Sequence, residues 1–185
     1  MEDESWMKID RRTALGVMTG AIAAASTAGG SMRAAAANDA LDAKLEVDGY
    51  KVTDAFFEKA YVDKDELRDT FVRHRFVHGG FKDTGTRFSF HFIDPQYYRG
   101  RFLQPLEGGT GGSEYSFGAP QQGASFLGGL DTAMRMGAYL VQSNQGHVGT
   151  EKCPKGGDNL ALYGWRASAE TGRFARYLAT RIYGS

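Results

Sequence analysis

The sequence predicts an α/β fold, in which helices pack against a β-sheet, and three observations lead to this prediction. Residues 86–93 alternate polar and apolar side chains, as a strand does. Beyond residue 100, segments with strand and helix periodicity follow one another as strand, helix, strand, helix. This order is typical of a parallel sheet covered by helices. A glycine-rich stretch at residues 108–112 separates the first of these strands from its helix.

Several segments carry the periodicity of helices or strands. Apolar residues at helical spacing predict helical structure within residues 52–70. A mixed apolar and basic stretch at residues 71–78 predicts a strand that breaks at Gly79 and Gly80. The remaining predicted segments are a half-buried antiparallel strand at 86–93, a strand at 101–106, a helix at 123–135, a buried parallel strand at 137–144 and a helix at 161–183 that stops at Gly184.

Length and charge narrow the classes of protein. The chain has 185 residues, with 22 basic and 22 acidic side chains, and therefore a formal net charge of zero. One folded domain is the natural expectation at this length. A neutral charge balance gives no electrostatic basis for binding nucleic acid or an anionic membrane, so we expect neither as a partner.

Residues 1–37 have the composition of an export signal. Arg11 and Arg12 precede an alanine-rich segment of modest hydrophobicity, and small residues follow it. Such a pattern is typical of a signal peptide, and the arginine pair indicates the twin-arginine route. The segment is too weakly apolar to form a stable membrane span. We therefore expect residues 38–185 to be a domain exported to the periplasm or the cell exterior; a soluble alanine-rich helix is the alternative.

The strand at 101–106 opens into a glycine-rich turn that could expose backbone N–H groups. The candidate residues of this turn are Gly108, Gly109, Thr110, Gly111 and Gly112. Glycine tolerates positive φ and lets other groups approach the backbone closely. Turns of this kind can bind the oxyanion that forms during acyl transfer. A flexible surface loop is the alternative explanation of the glycines.

Three blocks of the sequence resemble the tannase and feruloyl-esterase family of α/β-hydrolases. Residues 99–103 with the glycines of 108–112 are similar to the family's N-G-R-F-L and glycine stretch. Residues 137–147 are similar to its G-Y-x-V-x-S-x-x-x-G-H block, and residues 173–184 resemble its helix ending in Y-Y-G. The resemblance covers about residues 99–185. It implies a partial α/β-hydrolase-type sheet with flanking helices, of which residues 38–185 would be the N-terminal part, and the hydrolysis of carboxylic esters.

The catalytic triad of that family has no counterpart in these residues. A serine nucleophile needs a histidine as base and a carboxylate that orients the histidine. The family's G-x-S-x-G motif, with a cysteine beside it, would follow Gly184, and no G-x-S-x-G occurs in the sequence. Ser113 comes nearest but lacks the second glycine, while Arg99 and Thr110 also depart from the family pattern. We therefore predict no catalytic residue, and whether the chain alone is an enzyme stays open.

The histidines and the single cysteine are weak candidates for chemistry. His147 follows the strand at 137–144 and could line a cleft, or it could fix its own loop by hydrogen bonds. His74 and His78 would share a helical face, but their surroundings are strand-like and a third ligand is lacking, so we predict no metal site. Cys153 is a lone thiol, for which the resemblance implies a partner outside this chain. No cofactor is expected.

These observations lead to two hypotheses about function. In the first, the chain is the N-terminal part of an exported serine ester hydrolase that carries the oxyanion-type loop without the triad. Its substrate would be a small-molecule ester, and only once a C-terminal part completes the site. In the second, the chain is a complete non-catalytic exported domain that binds a ligand at residues 108–112. A partial sheet would leave a strand edge and apolar surface uncovered and prone to association, whereas a complete domain would stay monomeric.

Overall fold

The computed structural model describes residues 40–69, 72–106, 111–115, 129–148 and 160–184. The predicted export segment with Arg11 and Arg12, the turn residues Gly108, Gly109 and Thr110, and Cys153 lie outside the described residues. The elements in chain order are β1 (Ala60–Arg68), β2 (His74–Phe81), β3 (Arg87–Ile93), β4 (Arg101–Leu103), α1 (Leu130–Met136), β5 (Ala138–Ser143) and α2 (Ala167–Tyr183), with a π-helical turn (Leu162–Arg166) directly before α2.

The described strands form a mixed sheet of five strands in the order β1-β2-β3-β5-β4. The pairs β1–β2, β2–β3 and β3–β5 are antiparallel, and β4–β5 is parallel. The predicted parallel sheet is therefore correct only for the β4–β5 pair. The strand, helix, strand order after residue 100 dictates that pair, because a helical crossover returns the chain in the same direction. The three earlier strands run antiparallel to their neighbours and complete an α/β architecture.

Helix α2 covers one face of this sheet, here called the aromatic face. Phe174 of α2 is fully buried and its ring lies 5.3 Å from that of Phe88 and 6.0 Å from that of Phe90. The phenylalanines alternate along β3, so their rings all point to the same side. Gly184 ends the helix in a left-handed conformation, with φ of 71° and its N–H bonded to the Thr180 carbonyl, as the sequence predicts.

The start of the last helix differs from the prediction. Residues Leu162–Arg166 form a π-helical turn, and Trp165 in that turn is 53% exposed although its spacing placed it in the buried stripe. The wider π turn rotates the side chains away from the α-helical register, so the stripe is interrupted there.

Three predictions about the first strands are corrected by the structure. Residues Ala60–Arg68 form an edge strand rather than a helix. Strand β2 continues through Gly79 and Gly80 to Phe81. The glycines are required inside the strand because a Cβ would collide with the Tyr61 carbonyl at Gly79 and with the Thr86 carbonyl at Gly80. Strand β3 is buried on both faces, since Ser89 and His91 are as inaccessible as the phenylalanines.

The opposite face of the sheet is called the polar face here. Helix α1 covers one end of it, where Leu130 and Ala133 pack against Ile93 and Leu140. The rest of this face carries buried polar side chains, namely His74 and His78 of β2, Ser89 and His91 of β3, and Gln142 of β5.

Candidate functional site

The parallel pair β4–β5 brings two turns to one edge of the sheet. Arg101, Phe102 and Leu103 pair in parallel with Ala138, Tyr139 and Leu140. Parallel strands end on the same side, and α/β folds bind their ligands at the carboxyl ends of strands. The turn after β4 is the predicted glycine-rich turn, and the turn after β5 contains His147.

The turn after β5 is sharp and well tied. Gln145 has a φ of 56°, which is unusual for a non-glycine residue, and Gly146 follows with a φ of 88°. The Asn144 side chain accepts hydrogen bonds from the N–H groups of Arg87 (2.9 Å) and Gly146 (3.1 Å), and its amide donates to the Gly85 carbonyl (2.8 Å). Backbone conformations of this kind persist where the surrounding structure enforces them, and they are frequent at functional sites.

The described part of the glycine-rich turn lies against this second turn. Gly111 and Gly112 have φ values of 62° and 95°, the region that favours glycine. A Cβ on Gly111 would collide with the Gln145 side chain, so the two turns are in contact at this point. The turns that follow β4 and β5 therefore lie side by side at Gly111 and Gln145.

Residues 111–115, here called the anchor segment, lie over a row of polar side chains that crosses the sheet. His78, Ser89 and Gln142 are neighbours in register on β2, β3 and β5. The Ser89 hydroxyl lies 2.7 Å from the Glu114 carbonyl oxygen and 3.2 Å from Gln142 Oε1, two acceptors for its proton. The row therefore provides polar partners for the main chain of the anchor segment.

The anchor segment is also held by a cluster of charged side chains around the buried His78, which the sequence analysis did not predict. His78 Nδ1 lies 2.5 Å from Asp63 Oδ1, and His78 Nε2 lies 3.1 Å from Glu114 Oε1. Arg87 donates to the second oxygen of Asp63 at 2.7 Å. The Tyr115 ring stacks on the imidazole, with centroids 5.4 Å apart and planes at 8°. Two carboxylates thus hold one histidine that is only 7% exposed.

The pKa values of these groups shift toward the charged forms. Burial opposes the charge on His78, but the hydrogen bonds with Glu114 and Asp63 outweigh it and raise the pKa of the imidazole. Burial likewise opposes the charge on Glu114, yet its hydrogen bond with His78 brings the pKa of the carboxyl below its usual range. By contrast, burial and the neighbouring His74 lower the pKa of His91 well below its usual value, so His91 is neutral at pH 7.

The other candidate side chains have the following positions. His147 is 5% exposed, its ring lies 5.3 Å from that of Tyr163, and its N–H bonds the Asn144 carbonyl at 3.3 Å. Its role in lining a cleft stays a prediction. The Ser113 hydroxyl donates to the Tyr115 carbonyl (2.7 Å) and accepts from the Tyr115 N–H (3.1 Å), which makes it part of a turn.

Metal binding and membrane spanning are both unsupported within the described residues. His74 and His78 lie on one face of β2 but about 13 Å apart along the strand, too far to share an ion. The residues that the structure describes contain no cluster of three or more histidine, cysteine, aspartate or glutamate side chains suited to a metal. In the same part of the chain, no helix has the length and apolar character required to cross a bilayer.

Comparisons with known proteins give one structural likeness. No protein-family model matches the sequence, and no curated protein matches it. Among solved structures, the chain is similar to tannin acyl hydrolase from Aspergillus niger, with 13% sequence identity and a TM-score of 0.44. The alignment covers 80% of this chain and 29% of the hydrolase, so this chain spans well under half of that protein's length.

Proposed function

We propose that this chain forms the front part of an exported serine ester hydrolase and contributes its oxyanion-type loop. The contact between Gly111 and Gln145, at the shared edge of β4 and β5, is the observation that carries the proposal. Because α/β enzymes bind their ligands at this edge, the contact supports an oxyanion-binding role for the glycine-rich turn. The three sequence blocks that resemble the tannase and feruloyl-esterase family supply the reaction class.

The chemistry assigned to the turn is stabilisation of negative charge. Attack on an ester carbonyl produces an oxyanion, and backbone N–H groups fixed in advance lower the barrier to forming it. Residues 108–112 would supply these donors, because glycines allow the substrate to approach the main chain closely. The substrate would be a small-molecule ester, with no cofactor and no nucleic acid involved.

The residues described here do not assemble a nucleophile with its base. The Ser113 hydroxyl is bonded to Tyr115, and both nitrogens of His78 face carboxylates. An activated serine needs a histidine nitrogen directed at its hydroxyl. The sequence also contains no G-x-S-x-G, so the proposal assigns the nucleophile, the acid and the catalytic histidine to a further part of the protein, and we expect the chain by itself to lack esterase activity.

Export through the twin-arginine route is the second part of the proposal. It rests on the arginine pair Arg11-Arg12 and on the alanine-rich segment that follows. In this account the domain starts near residue 38 and functions in the periplasm or outside the cell.

The activity of the purified full chain on p-nitrophenyl butyrate tests the assignment of the catalytic groups. We expect release of p-nitrophenol at the rate of the buffer alone. The matched variant is Ser113→Ala, which removes the serine nearest to the family motif. Turnover by the unmodified chain that disappears in Ser113→Ala would place a complete active site within these residues and overturn the proposal.

A further inference from the structure

Glu114 is the residue that attaches the anchor segment to two strands of the sheet. Glu114 contacts β2 through its carboxylate and His78, and it contacts β3 through its carbonyl and Ser89. The two glycines with positive φ, Gly111 and Gly112, directly precede it in the chain. Whatever fixes Glu114 therefore also fixes the backbone of the described end of the glycine-rich turn.

The geometry requires a doubly protonated imidazole. Each ring nitrogen of His78 faces a carboxylate oxygen, and an ionised carboxylate only accepts hydrogen bonds. Both nitrogens must therefore donate, which only the imidazolium can do. A neutral ring would direct a lone pair at one of the two carboxylates.

The charges around His78 balance only in this state. Asp63 and Glu114 carry two negative charges, and His78 and Arg87 carry two positive ones. Arg68, whose guanidinium lies 3.4 Å from the centroid of the Phe76 ring, pairs with Glu66. Loss of the proton from His78 would leave one buried carboxylate without its cation.

The two carboxylates are not equivalent in that event. Asp63 keeps its 2.7 Å ion pair with Arg87 when His78 becomes neutral. Glu114 has His78 as its ion-pair partner among the described residues. The Glu114 side chain is also only 15% exposed, so an unpaired charge there is costly in place. Glu114 is consequently the carboxylate that separates from His78 when the imidazole loses its proton.

We propose that His78 is the positioning residue of the glycine-rich turn: clamped by Asp63 and protonated, it holds Glu114 and so fixes Gly111 and Gly112 at the edge of the sheet. The step from a fixed turn to catalysis rests on the function proposed above. The attachment itself does not, because every contact in it lies within the described residues.

The direction of the pH dependence follows from the charge that His78 must carry. The pKa of His78 is raised above its ordinary value of 6.5, so the attachment is complete below about pH 6.5. The attachment is lost as the pH rises through the pKa that His78 has in the folded protein. Asp63 raises that pKa, and removing its charge must move the release to lower pH.

Hydrogen–deuterium exchange of the full chain, followed by mass spectrometry between pH 5.5 and 9, tests this inference. Exchange rates are corrected for their intrinsic dependence on pH, and the peptide containing residues 111–115 is the reporter. We expect its protection to fall by about tenfold or more across the titration of His78, since hydrogen bonds to charged groups contribute that much. Peptides from β3 and α2 serve as internal references and should keep their protection.

Three variants make the test specific. Asp63→Asn should move the pH at which half of the protection of the 111–115 peptide is lost to a lower value. In Glu114→Gln the same peptide should be weakly protected at every pH. Asp48→Asn is the matched control, because it breaks an exposed ion pair with Lys59 remote from the segment. Glu114→Gln alters a segment residue outside every described strand and helix, so it remains informative if the β1 variant Asp63→Asn fails to fold.

An unchanged midpoint in Asp63→Asn, or a 111–115 peptide whose protection is independent of pH in the unmodified chain, would overturn the inference. No ester is present in this experiment, so its outcome is separate from that of the esterase assay. Protection of the 111–115 peptide that does not depend on pH would overturn this inference alone, whereas esterase turnover by the unmodified chain would overturn the proposed function alone.

Discussion

Replacing Gly111 by alanine tests whether the turns that follow β4 and β5 meet as the structure describes. Gly111 has a φ of 62°, and a Cβ there would overlap Oε1 of Gln145. Gly100 provides a matched control, because its φ is 73° and nothing lies within 4 Å of the position of its Cβ. Both substitutions impose a left-handed alanine, but only Gly111→Ala also forces the buried Gln145 side chain of the second turn to move.

The two costs can be separated. A left-handed alanine costs about 1–2 kcal/mol, and part of that is offset by about 0.4–1 kcal/mol because alanine restricts the unfolded chain. We therefore expect Gly100→Ala to lower the free energy of unfolding by about 1 kcal/mol. Overpacking of a well-filled site adds about 1–3 kcal/mol. Gln145 is only 5% exposed and has little room to yield, so Gly111→Ala should lose about 2–4 kcal/mol in total.

Urea unfolding monitored by tryptophan fluorescence measures both values. The double variant Gly111→Ala with Gln145→Ala removes the overlapping atoms and should be more stable than the sum of the single changes implies, by about 1 kcal/mol or more. Equal losses for Gly100→Ala and Gly111→Ala, together with additive behaviour in the double variant, would refute the contact between the turns.

Three further predictions concern the core, the export segment and the sheet edge. Glu170 is fully buried and accepts hydrogen bonds from Tyr50 (2.6 Å) and from the Thr53 N–H and hydroxyl (2.9 and 2.8 Å), so Glu170→Ala should cost about 3 kcal/mol. The exposed pair Asp131–Arg135 supplies the control Asp131→Ala, at under about 0.5 kcal/mol. Burial opposes the charge on Glu170, but its hydrogen bonds with Tyr50 and Thr53 lower the pKa of the carboxyl. The stabilisation that Glu170 provides is therefore present above about pH 4.5 and is lost as the pH falls through the lowered pKa. An acid-unfolding midpoint that Glu170→Gln leaves unchanged would contradict this. Changing Arg11 and Arg12 to lysines should stop export of a reporter fused after residue 37, and continued export would refute the twin-arginine assignment. β4 is an edge strand of the described sheet, and Phe102 on it is 38% exposed. If the chain is part of a larger hydrolase, sedimentation at rising protein concentration should show self-association through this edge. A protein that stays monomeric at every concentration would favour the non-catalytic ligand-binding domain.

The elements that the sequence predicts well are those whose local pattern agrees with their final surroundings. The phenylalanines of β3 alternate because α2 covers that side, and the first four residues of β5 are apolar and buried in a strand that lies between two others. The C-terminal end of α2 is marked by Gly184, whose left-handed conformation no other residue adopts as readily.

β1 was mispredicted because its strand pattern comes from tertiary contacts. Its central residues Asp63, Lys64, Asp65 and Glu66 are poor strand formers and exposed, as is common at sheet edges. Arg75 of β2 pairs with Asp65, and Arg87 of β3 reaches across β2 to pair with Asp63, which holds the charged edge in place. These pairs join positions distant in the chain, so no local window of sequence contains the information.

The charge cluster at His78 was missed for the same reason. Asp63 lies 15 residues before His78, and Glu114 lies 36 residues after it. One feature of the sequence indicates the cluster: His74 and His78 are four residues apart, and so lie on the same face of a strand that is otherwise apolar or basic. A buried strand with ionisable residues on one face indicates partners on that face.

Hydrolysis by a chain extended with the sequence that its gene encodes after Ser185 tests the central claim most directly. The account predicts an in-frame G-x-S-x-G within about thirty codons of that point, as the strand–turn–helix of a nucleophile elbow requires. The extended protein should hydrolyse p-nitrophenyl butyrate. Gly109→Pro, which removes a backbone N–H from the turn, should lower kcat by about 100-fold or more, whereas Gly100→Ala should leave it nearly unchanged. Absence of the motif, or an extended enzyme whose kcat is unaffected by Gly109→Pro, would contradict the account.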